Sequence, residues 1–140
     1  MTLQLKKVDY SQLNARQQEN YNFLKLSSIL ADYGFVTMRL TSDWQGADFI
    51  AQHVDGHTFL KVQLKGRLTF GKKYMGKDLY IAFVSGGEWY LLPHDVVLQR
   101  ILEAGRLSGT RSWDENGGYS FPSLPKELKS LLSEFRLTVS

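Results

Sequence analysis

Residues 46–67, GADFIAQHVDGHTFLKVQLKGR, constrain the fold more than any other part of the chain. Two β-rich runs flank Asp55-Gly56. Asp-Gly between alternating runs is the strongest short-range hairpin signal, because a type I′ turn needs φ > 0 at both central residues. A two-residue loop there sets Val54 against His57, and counting outward sets Asp48 against Gln63. Directly opposed residues point to the same side of a sheet, with Cβ atoms roughly 4.5–5.5 Å apart. Lys65 shares that side by the period of two. The second strand sorts cleanly, with Leu60, Val62 and Leu64 on one face and Phe59, Lys61, Gln63 and Lys65 on the other. The first strand alternates less cleanly, Asp48, Ile50, Gln52 and Val54 against Ala47, Phe49, Ala51 and His53. A carboxylate, a carboxamide and an ammonium are thus expected on one patch of a sheet whose other face is apolar.

An Asp at the start of one hairpin strand, with acid-x-Lys on its partner, resembles the signature of the PD-(D/E)xK nuclease superfamily, the restriction-endonuclease-like fold. The matching residues are Gly46-Ala47-Asp48 and Gln63-Leu64-Lys65. Ala47 stands where the family name has Pro, and Gln63 where most members have Asp or Glu. The Gln-x-Lys form is similar to that of certain intron-encoded homing endonucleases, and Holliday-junction resolvase-like members share the wider pattern. The resemblance covers residues 15 to about 95. It implies an α/β (α+β) fold: an N-terminal helix, then a β-hairpin core in a mixed sheet, with flanking C-terminal helices. It implies a metal-dependent endonuclease that hydrolyses phosphodiester bonds of nucleic acid, DNA in the first place, with Mg²⁺ or Mn²⁺. Asp48 would be the anionic ligand, with the amide oxygen of Gln63 and the backbone carbonyl of Leu64 beside it. Lys65 would orient the attacking water or stabilise the pentavalent phosphate. Such nucleases often carry a Glu on the helix before the hairpin, and Gln18-Glu19-Asn20-Tyr21 is similar to that arrangement. Glu19 would add charge directly or through water, which matters more where Gln63 is neutral.

The charge distribution points the same way. The net charge is +3. Residues 61–77 hold Lys61, Lys65, Arg67, Lys72, Lys73 and Lys77 and no acid, so the basic excess sits on the second hairpin strand and the loop after it. A protein that holds phosphates concentrates its cations in this way. The plainer reading is a solvated basic loop. At 140 residues the chain is expected to be one nuclease-like domain, with a core of about 15–104 and an extension of about 105–140. No apolar run approaches ~18 residues, so no membrane span is expected. The start MTLQLKKVDY lacks the apolar core of a signal peptide, and the chain has no cysteine, which fits a cytoplasmic home. A homodimer is left open.

In chain order, LQLKKV at residues 3–8 has the alternation of a short edge strand. Asn14 is placed to cap a helix, with Gln17 completing a capping box, and Gly34 supplies the left-handed position after Tyr33. The helix stripe reads Phe23, Leu26, Leu30 and Tyr33, and one turn earlier reaches Glu19. The bland reading of Glu19 is an exposed first-turn acid favoured by the helix dipole. FVTMRL, residues 35–40, reads as a strand and TSDWQG as a polar connection, with Asp43 a turn residue and Trp44 packed on the core in preference to offering a stacking face. LYIAFV reads as a strand buried on both faces. Gly86-Gly87 then turns the chain into EWYLLP. Pro93 opens a helix to about Ala104, where His94 reads as structural rather than catalytic. Residues 105–122 are irregular, with a small hairpin at Asn116-Gly117. Ser123 is placed to cap a last helix with the stripe Leu124, Leu128, Leu131 and Phe135.

The pattern leaves two alternatives to an active nuclease. One is a nuclease-fold protein that binds nucleic acid or a protein without cleaving. The other is a small accessory protein in which Asp48 and Lys65 form a surface salt bridge. No Gly-rich phosphate loop, Cys/His cluster or Ser/His/Asp spacing supports another enzyme class.

Overall fold

The computed structural model describes residues 3–139; the side chains of Asp43 and Trp44 lie outside the described residues, and with them the expected packing of Trp44. Helix α1 spans Ala15–Asp32. It starts where expected because Asn14 accepts from the Gln17 N–H at 2.8 Å while the Gln17 side chain accepts from the Asn14 N–H at 2.9 Å. It stops at Gly34, whose φ of 85° returns the chain toward the helix. The strands β1 (Phe35–Trp44), β2 (Ala47–His53), β3 (Phe59–Lys65), β5 (Leu79–Ser85) and β6 (Glu88–Pro93) form a mixed sheet in the order β1-β2-β3-β5-β6. All neighbours are antiparallel except β3 and β5. A parallel pair needs a crossover of a dozen or more residues, usually a helix. Here β4 (Thr69–Gly71) and a 3-10 turn at Lys72–Tyr74 fill it, and β4 pairs with β7 (Gly118–Ser120) in a separate two-stranded sheet. Helix α2 spans His94–Glu103, α3 Arg111–Asp114 and α4 Lys126–Leu132. The architecture is α+β, helix first, then hairpins, with helices at the C-terminal end.

The sheet separates two apolar layers. On one face Leu26 and Leu30 of α1, both fully buried, meet Phe49, Ala51, Val62 and Ala82. Burial of each leucine contributes about 2 kcal/mol. On the other face Ile81, Phe83 and Leu92 meet Val97, Leu98 and Ile101 of α2 and Leu128 and Leu132 of α4. Leu107, Trp113, Phe121 and Leu124 join that cluster, so residues beyond 104 complete the core.

Several local expectations are corrected. Residues 3–8 form no strand: Leu3 and Leu5 are 80% and 85% exposed and meet no partner edge. The stretch read as a polar connection is strand as far as Trp44, and the two-residue turn follows it at Gln45-Gly46. Both residues have positive φ, 55° and 93°, as a type I′ turn requires. Asp43 therefore lies in β1 rather than in the turn. At Asp55-Gly56 the loop is longer, residues 54–57, closed by the His53 N–H bonding the Thr58 carbonyl at 2.9 Å. Asp55 does not take positive φ; its carboxylate instead accepts from the N–H groups of His57 and Thr58 at 2.8 and 2.9 Å. No hairpin forms at Asn116-Gly117, because β7 pairs with distant β4. Ser123 caps nothing: α4 begins after Pro125, with no side-chain cap. Within the expected stripes Tyr33 is 39% exposed, its hydroxyl bonded to Thr138, and Leu132 is buried where Leu131 was expected.

Candidate active site

The longer loop leaves the register of β2 and β3 as read. One extra residue on each side of a turn shifts neither strand against the other. Phe49 pairs with Val62, Ile50 with Lys61, Ala51 with Leu60 and Gln52 with Phe59, so the next positions outward are Asp48 and Gln63. The paired ladder stops just short of them. On the other flank β1 pairs with β2 at Arg39–Phe49 and again at Trp44–Ala47, so residues 40–43 stand against Asp48 alone. Asp48 thus sits where the sheet is interrupted on both sides.

That interruption decides where the carboxylate goes. Hydrogen-bonded pairs alternate in an antiparallel ladder, and with 53–58 bonded the series runs 51–60, 49–62 and 47–64. At the last of these the Leu64 N–H donates to Asp48 Oδ2, at 2.7 Å. The Asp48 side chain has entered the seam between the strands, in the plane of the sheet rather than on its face. By the same alternation the Leu64 carbonyl is turned toward β2. Gln63, opposite Asp48 in register, is 3% exposed, and its Oε1 is buried with no hydrogen-bond partner among the described residues. A buried acceptor left unsatisfied costs about 1–3 kcal/mol. A carboxylate, a carboxamide and a peptide carbonyl thus belong to neighbouring positions 48, 63 and 64 of the two strands. That donor set fits Mg²⁺ or Mn²⁺, and the unsatisfied amide oxygen is what a cation would complete. Among the described residues there is no cluster of three His, Cys, Asp or Glu, so the Gln and the carbonyl are essential to this reading.

Glu19 lies in the second turn of α1, not the first, and lines one cleft of about 880 Å³ with Asp48, Asn20, Arg39, Leu40 and Ser42. It accepts from Arg39 Nη2 at 3.1 Å, an exposed pair worth ~1 kcal/mol or less. Lys65 lines a different depression, of about 510 Å³, with Lys72, Lys73, Thr69, Tyr74 and Asn116. Among the described residues no ion pair joins Asp48 to Lys65, and none includes Lys61, Arg67, Lys72, Lys73 or Lys77. Arg67 borders a third recess beside Phe83 and Phe121. Lys61 is paired with Leu79 at the far end of β3, ~13 Å along the strand from Lys65. The basic run is therefore spread over several surfaces, and Lys65, Lys72 and Lys73 are the three that converge.

Sequence reasoning missed Tyr74, which the ammonium groups of Lys65 and Lys73 approach at 5.9 and 5.0 Å from the ring centroid. Basic residues interleaved with an aromatic, KKYMGK, were the available signal. His94 is structural: it is buried, its Nε2 accepts from the Gly71 N–H at 3.2 Å, and its Nδ1 lies 2.7 Å from Asp95 Oδ1. Burial pushes the Asp95 carboxyl up, but hydrogen bonds from His94 and the Gly76 N–H outweigh it and hold the pKa below the ordinary range.

Two solved structures, both of nucleases, are similar to this chain at low identity. The Holliday junction resolvase of Archaeoglobus fulgidus is 19% identical, over 50% of this chain and 74% of that one, with a TM-score of 0.40. A bacterial homing endonuclease is 15% identical, over 88% of this chain and 87% of that one, with a TM-score of 0.48. No protein-family model and no curated protein matches the chain.

Proposed function

We propose that this chain is a metal-dependent endonuclease acting on nucleic acid, DNA in the first place, with its catalytic centre at the β2–β3 seam. The observation that carries the reading is the buried, unpartnered Oε1 of Gln63 opposite Asp48. Asp48, Gln63 and the Leu64 carbonyl would hold Mg²⁺ or Mn²⁺, with Glu19 contributing charge from across the cleft. The bound ion would supply Lewis-acid stabilisation of the phosphoryl charge and acidify a bound water. Asp48 anchors the anionic side of the seam, fixed by its bond to the Leu64 N–H. Lys65 donates to the phosphate as charge builds on it. Lys72 and Lys73 bind neighbouring phosphates and set the strand running from their depression toward the seam. The 140 residues act as one domain, the C-terminal part bracing the sheet beneath the basic loop.

The test is nicking of supercoiled plasmid with Mg²⁺ or Mn²⁺. Cleavage is expected from the wild type, and none in EDTA, in Asp48→Ala or in Lys65→Ala. Each substitution should cost at least ~2.7 kcal/mol of transition-state stabilisation, the loss typical of one preorganised donor. Cleavage that persists in EDTA or in Asp48→Ala refutes the mechanism. The neutral Gln63 and the capture of Glu19 by Arg39 favour one second reading, a nuclease-fold protein that binds DNA without cutting it. Binding without cleavage under either ion selects it.

A further inference from the structure

Tyr74 ends the 3-10 turn of the basic loop and is half-buried. Its ring is seated between two glycines. A Cβ on Gly46 would come within 2.9 Å of ring atoms Cδ1 and Cε1, and a Cβ on Gly71 within 2.9 Å of Cδ2. One edge of the ring thus rests on the β1–β2 turn, directly before Ala47-Asp48, and the other on the end of β4. The His94 ring meets it edge-on, centroids 6.1 Å apart. The loop carrying Tyr74 is held at both ends by adjacent residues of α2. The Gly71 N–H donates to His94 Nε2 at 3.2 Å and the Gly76 N–H to Asp95 Oδ2 at 2.8 Å.

We propose that Tyr74 is a positioning residue that holds the Lys65 ammonium in place without neutralising it; the proposal rests on the reading of Lys65 as the group that meets the phosphate. A lysine has a long flexible stem and must be held to act at a defined point. A carboxylate partner would hold it and also compete with phosphate for its protons. An aromatic face within ~6 Å attracts the ammonium through its quadrupole and leaves the N–H donors available. The 5.9 Å approach of Lys65 Nζ to the Tyr74 ring satisfies this condition. Because the same ring abuts Gly46, it also sets the start of β2 against the end of β3, and so Asp48 against Lys65.

The experiment uses ¹³Cε-lysine NMR and cleavage kinetics on the wild type, Tyr74→Phe and Tyr74→Leu, with the Lys65 signal assigned from Lys65→Arg. The ring should shift the Lys65 ε-methylene protons upfield of a solvent-exposed lysine, as it should those of Lys73 and as Trp113 should those of Lys72. Tyr74→Phe keeps that shift and Tyr74→Leu loses it. With Mg²⁺, kcat falls roughly tenfold in Tyr74→Leu with KM within about twofold, and returns in Tyr74→Phe. Tyr74→Met gives a second ring-free variant should Tyr74→Leu fail to fold. A wild-type Lys65 resonance with no ring shift overturns the proposal, as does a ring-free variant with wild-type kcat. A wild type that cleaves with neither ion removes the nuclease reading instead, and the NMR signal then decides alone whether the ring holds Lys65.

Discussion

Gln63 is a residue whose burial makes little sense without a further partner. Its carboxamide is almost fully enclosed and its oxygen has no donor among the described residues. A neutral amide ligates a hard cation more weakly than a carboxylate does, so Gln63→Glu is informative. In the variant two carboxylates share the seam, and with no ion their repulsion raises the pKa of one of them and lowers stability. With the ion bound the extra charge strengthens the site. We expect Gln63→Glu to reach half-maximal cleavage at a lower Mg²⁺ concentration than the wild type. Its melting temperature should be lower in EDTA and recover on adding Mg²⁺. An unchanged Mg²⁺ requirement would mean that Gln63 is not a ligand.

The hairpin of β2 and β3 was legible in sequence down to its register, although its turn was not. Asp-Gly and alternating apolar residues marked the reversal, and loops of two and four residues give the same pairing. Asp55 had the right composition for a type I′ turn but spends its carboxylate on the His57 and Thr58 N–H groups. The true type I′ turn escaped notice because Gln45 is not a turn former; Gly46 alone carried the signal. The pairing of β4 with β7 spans about fifty residues, and no local pattern records it. Asp48 stands next outward from the Phe49–Val62 pair, as the register read from sequence has it. Its turn into the seam depends on the interrupted pairing at residues 40–43, part of which was read as a polar connection because Thr41 and Ser42 line a cleft. The Asp55 turn has its own test. Hydrogen bonds from the His57 and Thr58 backbone, with the Thr58 hydroxyl next, lower its pKa from 3.8 to about 2. A depressed folded pKa gives stability that is full above about 3.8 and is lost as pH falls through about 2. Asp55→Asn should therefore be less stable than wild type at pH 7, with the gap closing between about pH 4 and 2 in urea titrations. A gap independent of pH would show that the carboxylate's charge has no part in the turn.

Across the whole molecule the basic excess and the interrupted sheet lie near each other in chain order but face different recesses. Lys65, Lys72 and Lys73 share one, Asp48 and Glu19 the other, and Gln63 stands between them in register. If the first recess holds backbone phosphates, DNA affinity falls steeply with salt. Replacing Lys72 and Lys73 with Ala should flatten the log–log slope by about 0.9 for each phosphate no longer neutralised. The Lys72 ammonium is exposed and lies 5.1 Å from the ring of buried Trp113, a contact of about 1 kcal/mol, so the variant should stay folded. An unchanged slope would make the basic loop a bystander. The central claim is that the seam is a cation seat, and it is tested most directly by titrating Mn²⁺ into the protein without DNA and counting the bound ion by EPR. One site is predicted for the wild type, abolished in Asp48→Ala. A wild type that binds no ion, or an Asp48→Ala that binds it equally well, would contradict the account.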